Sequence, residues 1–234
     1  MRITDFEFRH RSLLNLLHFW VTFQVYVIDH TNIVWAVIPW NTPHGRNLAR
    51  FVFAFGALMM SLAAGGRTWA AAYLRSEVVH DPNLHSESLV ADGPYRYVRN
   101  PLYLGTFLFS LGLGLLASRL GFLILVIGAA VRLLRLIRRE ETELEKQQGE
   151  SFREYCRRVP KWWPSLRPRV PASRLEPRWP QAFRGEAAMW GFFVTMIAFA
   201  VTLRDIVVWT LSGLTLIVWL TQRVAQRLQK IPRG

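Results

Sequence analysis

Long apolar runs, separated by short connectors that hold most of the charge, dominate this chain. The runs cover residues 13–28, 48–64, 102–117, 120–137, 188–203 and 206–220. Each is too long and too evenly apolar for a half-buried strand. Each approaches the roughly 20 residues that a helix needs to cross a bilayer. The pattern predicts an all-α fold, a polytopic transmembrane helical bundle of about six spans. Asp29, His30, Thr31 and Asn32 interrupt the first region before an apolar patch from Ile33 to Trp40. Asp29 and His30 read as periplasmic loop, and the patch fits a short stretch along the interface. Ser118 and Arg119 leave only a tight turn between the third and fourth runs. Ala54, Gly56, Ala57 and Ala63 give the second run small side chains that permit close helix packing.

Charge changes the picture from hydrophobic bundle to oriented bundle. The chain is 51% hydrophobic yet carries a formal charge of +13. A soluble domain so basic would read as a nucleic-acid binder. Here the basic residues sit in the connectors, so no compact basic domain is left once the spans are removed, and no nucleic-acid partner is expected. With both termini cytoplasmic, every Lys and Arg falls on the inside except Arg46, Arg50, Arg119, Arg132, Arg135 and Arg204. That asymmetry is the positive-inside rule and places the protein in the cell inner membrane, multi-pass. The first run lacks a small-residue cleavage site and reads as a retained span. One cysteine, Cys156, excludes an internal disulfide and a multi-cysteine metal site. His80 and His85 flank Pro82 without an accompanying acidic pattern, so no metal is expected. Pro164, Pro168, Pro171, Pro177 and Pro180 argue against one regular helix there. The expected organisation is a four-span core over 1–164, a Pro/Arg-rich cytoplasmic linker over 165–187, and a two-span hairpin with a basic tail over 188–234.

Two cytoplasmic segments are too dense in functional groups for connectors. In the first, Gly93-Pro94 makes a turn with a bare backbone, and Asn100-Pro101 restarts the chain at the first helical turn of the third run. Between and just after them stand Tyr95, Arg96, Tyr97, Arg99 and Tyr103, then Gly105. Guanidinium groups and aromatic faces at a helix amino terminus suit an anionic, aromatic or cationic ligand. In the second, Glu140 and Glu141 follow the apolar end of the fourth run. Thr142–Gln148 is good helix-forming sequence, so the helix is expected to continue into the cytoplasm. Gly149, Tyr155, Val159 and Pro160 follow.

Together these segments resemble the superfamily of isoprenylcysteine carboxyl methyltransferases and bacterial phospholipid methyltransferases. Its pattern is Gly-x-Tyr and Arg-His-Pro-x-Tyr-x-Gly, then, after one helical hairpin, Glu-Glu-x-x-Leu, Gly, Tyr and Val-Pro. This chain supplies Gly93, Tyr95, Arg99, Pro101, Tyr103 and Gly105, then Glu140, Glu141, Leu144, Gly149, Tyr155, Val159 and Pro160. The likeness covers roughly residues 84–164. It departs at Asn100, where the family most often has His; Asn hydrogen-bonds but accepts no proton near neutral pH.

The resemblance implies an S-adenosylmethionine-dependent methyltransferase acting on a lipid-like or prenylated amphiphile at the cytoplasmic interface. It implies cofactor contacts from Gly93, Pro94, Tyr95, Arg96, Tyr97, Pro101, Tyr103, Gly105, Glu140 and Glu141, with Arg99 and Asn100 at the catalytic positions. Glu140 and Glu141 suit the cofactor's ammonium, and Arg96 or the Gly93 turn its carboxylate. Arg99 suits an anionic group on the acceptor. Two rival readings are an NADPH-dependent reductase of the related sterol-reductase type and a non-catalytic scaffold binding membrane lipids. Single residues admit plainer roles too. Arg96 and Arg99 could anchor to headgroups, and Glu140 and Glu141 could pair with Arg138 or Lys146 along one helix face. Tyr155, Trp162 and Trp163 read as interface-belt aromatics. Arg132 and Arg135 either snorkel or line a polar cavity. Cys156 reads as inert.

Overall fold

The structure, a computed structural model, describes Glu7 and residues 10–74, 91–173 and 175–229. It is all-helical among the described residues. The helices are α1 (Arg11–Gln24), α2 (Pro43–Tyr73), α3 (Pro101–Gly114), α4 (Arg119–Gln148), α5 (Glu150–Arg158), α6 (Trp179–Thr202) and α7 (Asp205–Gln229). Short 3₁₀ turns lie at Val25–Val27 and Gly93–Arg96. The helices α2, α4, α6 and, through Ala225, α7 are long and apolar enough to cross a bilayer; Leu13–Val27 and α3 are apolar but shorter. His80 and His85 lie outside the described residues.

Local chemistry explains the boundaries. Pro43 opens α2 at a position that needs no N–H, and the Thr42 hydroxyl accepts from the Gly45 amide at 3.0 Å. With 31 residues, α2 is roughly 47 Å long at 1.5 Å per residue, well beyond the apolar run that announced it. The fourth run continues as expected. α4 runs unbroken to Gln148 and stops at Gly149, whose φ of +57° ends a helix cheaply only for glycine.

The bundle is built around α2. α3 packs on one side of it and α6 along the other, and Phe53, Met60, Phe109, Met196 and Phe199 from all three are buried together. Gly56 and Gly112 let α2 and α3 touch; a Cβ on Gly112 would lie 2.6 Å from the Gly56 carbonyl oxygen. α1 lies on α4. Arg132 donates to the Leu14 carbonyl at 3.1 Å and Arg135 pairs with Glu7 at 2.9 Å. Both arginines of the fourth run therefore reach across to the amino-terminal segment. α7 packs on α6 and buries none of its apolar span inside the protein.

Residues 28–42 fold back over the far end of the α3–α4 hairpin. Asn32 donates to the carbonyls of Leu115 and Ala117 and accepts from the amides of Val34 and Trp35. Asp29, read from sequence as plain loop, is buried. Its carboxylate takes Arg119 at 2.9 Å and the Leu120 amide at 2.9 Å, tying this loop to the first turn of α4.

The described residues 164–173 and 175–178 contain no helix, as their prolines dictate. They lie against the Gly93–Arg96 turn. Ser165 and Arg169 amides donate to the carbonyls of Tyr97 and Arg96, and the Arg178 amide donates to Ala72.

Candidate functional site

The Gly93–Arg96 turn packs on α2 and is braced from α5, and its shape follows from three contacts. Gly93 has φ +57°, and a Cβ there would lie 2.4 Å from the Tyr73 ring, so only glycine fits. Asp92 is buried, and its carboxylate accepts from the Ser173 amide, the Ser173 hydroxyl and the Leu175 amide at 2.8–2.9 Å. Burial alone would push its pKa up; these hydrogen bonds and the nearby Arg96 more than offset that and hold it below the ordinary carboxylate range. Tyr155 is the third brace. Sequence reading put it in an interface belt, but it is buried with Phe152 and Val159, and its hydroxyl donates to the Tyr95 carbonyl at 2.8 Å.

From this turn the chain enters α3, and two carboxylates of α4 meet it. The Tyr103 hydroxyl donates to Glu140 Oε1 at 2.6 Å. Glu141 Oε1 accepts from Arg99 at 3.3 Å and from Asn100 at 3.4 Å, while its Oε2 accepts from Lys161 Nζ at 2.5 Å. The Arg99 amide donates to the Pro160 carbonyl at 2.9 Å, which seats the Val-Pro end of the second motif against the first. The two motifs, some 40 residues apart along the chain, thus form one half-buried polar cluster. Arg99 Nε within it is shielded from solvent and has no hydrogen-bond partner among the described residues.

Not every residue singled out from sequence joins this cluster. Arg96 turns away and donates through Nε to the Val170 carbonyl at 2.9 Å. The Tyr97 ring lies 5.8 Å from that of Trp69. Pro94 and Pro101 are buried at the starts of their helical turns. Gly105 faces Arg67, whose Cγ would stand 2.4 Å from an added Cβ. Tyr95 is close enough to Arg67, Glu140 and Glu186 to feel all three charges; burial is the main cause that raises its phenol above the ordinary range. Burial likewise pushes the Cys156 thiol up, against the opposing pull of Arg99, so it stays protonated at neutral pH.

Three participants escaped the sequence reading. Lys161 directly follows the Val-Pro pair, but nothing in its spacing tells a ligand cation from another interface lysine. Arg67 and Glu186 form a two-pronged ion pair with both N–O distances at 2.8 Å. The signal was present: ionisable groups near apolar spans are costly and usually paired.

The donor set can be tested against the implied cofactor. An amino-acid zwitterion carrying a sulfonium needs a carboxylate, a cation or N–H donors, and an aromatic face. The cluster offers Glu140 and Glu141, Arg99 and Lys161, and Tyr103, so the residues fit. Among the described residues, no group of three or more His, Cys, Asp and Glu side chains could hold a metal ion.

Comparison with known proteins agrees with the motifs. The cobalt-zinc-cadmium resistance protein CzcN of Cupriavidus metallidurans is 33% identical over 123 residues, 52% of this chain and 53% of that protein. The nickel-cobalt-cadmium resistance protein NccN of Alcaligenes xylosoxydans xylosoxydans is 30% identical over 111 residues, 47% of this chain and 49% of its own length. The chain thus spans about half the length of the curated relatives it matches. No solved structure matches it. The sequence profile described as phospholipid methyltransferase matches residues 51–151, which contain Gly93–Gly105 and the Glu140-Glu141 pair. Residues 51–151 of this membrane protein, with both motifs inside them, match the phospholipid methyltransferase family.

Proposed function

We propose that the chain transfers a methyl group from S-adenosylmethionine to a lipid-like or prenylated amphiphile at the cytoplasmic face of the inner membrane. One observation carries this reading. The Glu140-Glu141 pair and the Arg99–Tyr103 segment, which the family pattern places on opposite sides of a hairpin, meet through Tyr103–Glu140 and Arg99–Glu141 contacts. Bound S-adenosylmethionine supplies an electrophilic methyl on a sulfonium. The protein's part is placement, which can account for several kcal/mol of a displacement barrier. Glu140, oriented by the Tyr103 hydroxyl, offers a carboxylate to an ammonium. Lys161 and the Gly93 turn offer a cation and backbone donors to a carboxylate. Arg99, whose Nε has no hydrogen-bond partner among the described residues, grips an anionic acceptor head. Asn100 cannot take the acceptor's proton, so an acceptor already deprotonated at neutral pH, such as a carboxylate, suits this site best.

The two relatives are named for metal resistance. Methylation of envelope lipid would bear on metal tolerance without a metal site among the described residues. Calorimetry on purified protein tests the reading, with S-adenosylmethionine, S-adenosylhomocysteine and NADPH as titrants. Binding of the first two is the expected result. Binding of NADPH alone would turn the reading to reduction, and binding of none would leave a scaffold.

A further inference from the structure

The matched family stretch ends at residue 151, yet one residue beyond it reaches the first turn of the motif helix. Glu186, on α6, is buried, and its two carboxylate oxygens take Arg67 Nη2 and Nε, each at 2.8 Å. An ion pair that merely joined α6 to α2 would stop there. Arg67 goes further. Its Nη1 donates to the Leu102 carbonyl at 2.9 Å and to the Thr106 hydroxyl at 2.7 Å, and that hydroxyl also donates to Leu102 at 3.0 Å. Gly105 makes room for the arginine stem on the face of α3. One turn along α6, Trp190 donates to Thr68 at 3.1 Å, a second bolt between the same two helices.

We propose that Glu186 is a positioning residue for the site: it fixes the Arg67 guanidinium, which sets the first turn of α3 and so the reach of Tyr103 to Glu140. Guanidinium geometry carries the inference. A planar fork with one edge committed to a carboxylate has its remaining donors aimed at fixed points, and here those points are the turn that bears Tyr103. Desolvating two charges is costly, and an apolar pair would hold α2 to α6 as well or better. What an apolar pair could not do is grip a carbonyl and a hydroxyl on a third helix. The motif glycine acquires a physical reason in this arrangement, because a side chain at 105 would displace the arginine. The placing of Glu186 also gives the segment after residue 164 a share in the site.

This inference rests on the reading of the Glu140–Glu141 cluster as the cofactor site, so its test carries an arm that needs no cofactor. Hydrogen exchange of the Tyr103–Thr106 amides, S-adenosylhomocysteine affinity and the thermal midpoint are measured on wild type, Glu186→Gln, Arg67→Lys and Thr106→Val. The expected result is faster exchange in the first turn of α3 and an affinity weakened about tenfold in Glu186→Gln and Arg67→Lys. Thr106→Val, which keeps the ion pair, should weaken binding about threefold; it decides the matter if the charge variants do not fold. A lowered midpoint with unchanged affinity would reduce the pair to a structural bolt and overturn the proposal. Lost affinity with unchanged exchange would overturn it too, making Glu186 a direct ligand contact. A wild type that binds no S-adenosylhomocysteine would sink the proposed function, while the exchange arm would still decide whether the pair sets the turn.

Discussion

The α3–α4 hairpin carries a carboxylate–arginine pair at each end, and the two pairs are built differently. At one end, Asp29 takes Arg119, the Leu120 amide and the Thr31 amide. At the other, among the described residues, Glu141 takes only side chains: Arg99, Asn100 and Lys161. Backbone donors cannot leave without unwinding a helix or opening a loop, so the Asp29 end is a fastener. Side-chain donors can exchange one partner for another at the cost of a rotamer. The Glu141 end can therefore open to a ligand while the fold stays whole. The same pairing chemistry makes architecture at one end and a candidate site at the other, and the partner type separates the two.

The largest effect expected from breaking this contrast is at the site. Glu141→Gln should weaken S-adenosylhomocysteine binding about ten- to hundredfold, the equivalent of about 1.5–3 kcal/mol for a charge-assisted contact. Its thermal midpoint should stay near wild type; calorimetry and a melting curve on one preparation read both. Asp29→Asn should do the reverse, lowering the midpoint by several degrees and leaving affinity unchanged. A variant of either kind that moved both quantities equally would erase the distinction between the two ends.

A milder change is expected from Tyr103→Phe. Losing one hydrogen bond worth about 0.5–1.5 kcal/mol should weaken binding roughly two- to tenfold. An unaltered affinity there would detach Glu140 from the ligand.

The pH dependence sharpens the fastener end. The Arg119 hydrogen bonds, followed by that of the Leu120 amide, hold the Asp29 carboxyl below its ordinary value of 3.8. A depressed folded-state pKa adds stability that is fully present above the ordinary value and is lost as pH falls through the lowered one. The midpoints of wild type and Asp29→Asn should therefore differ at pH 7 and begin to converge only as pH falls below about 3.8. A gap that closes well above pH 3.8 would refute the assignment.

Orientation supplies the last and smallest perturbation. In a Cys156→Ala background, a cysteine replacing Ser151 should resist an impermeant thiol reagent in intact cells and react in inverted vesicles. One replacing His30 should behave oppositely. Labelling of position 151 from outside would put the site on the wrong side for a methyl donor made in the cytoplasm.

Sequence alone carried the helical class, the apolar segments and the two motifs, because each is written locally. Hydropathy needs only consecutive residues, and Gly93-Pro94 or Asn100-Pro101 needs only a dipeptide. The continuation of α4 to Gln148 was legible for the same reason, in its helix-forming residues. Tertiary structure decided the rest. Tyr155 looked like a belt aromatic because its hydroxyl's partner, the Tyr95 carbonyl, lies 60 residues away. Arg96, offered to the cofactor from its motif position, was drawn to Val170 by a segment with no motif of its own. Arg67 and Glu186 lie 119 residues apart, and pairing at that range exists only once α6 has packed along α2. Residue types and spacing announce which groups a site contains. Which donor each carboxylate receives is fixed by helix packing, since a hydrogen bond requires partners within about 3 Å, and only the folded chain sets that distance.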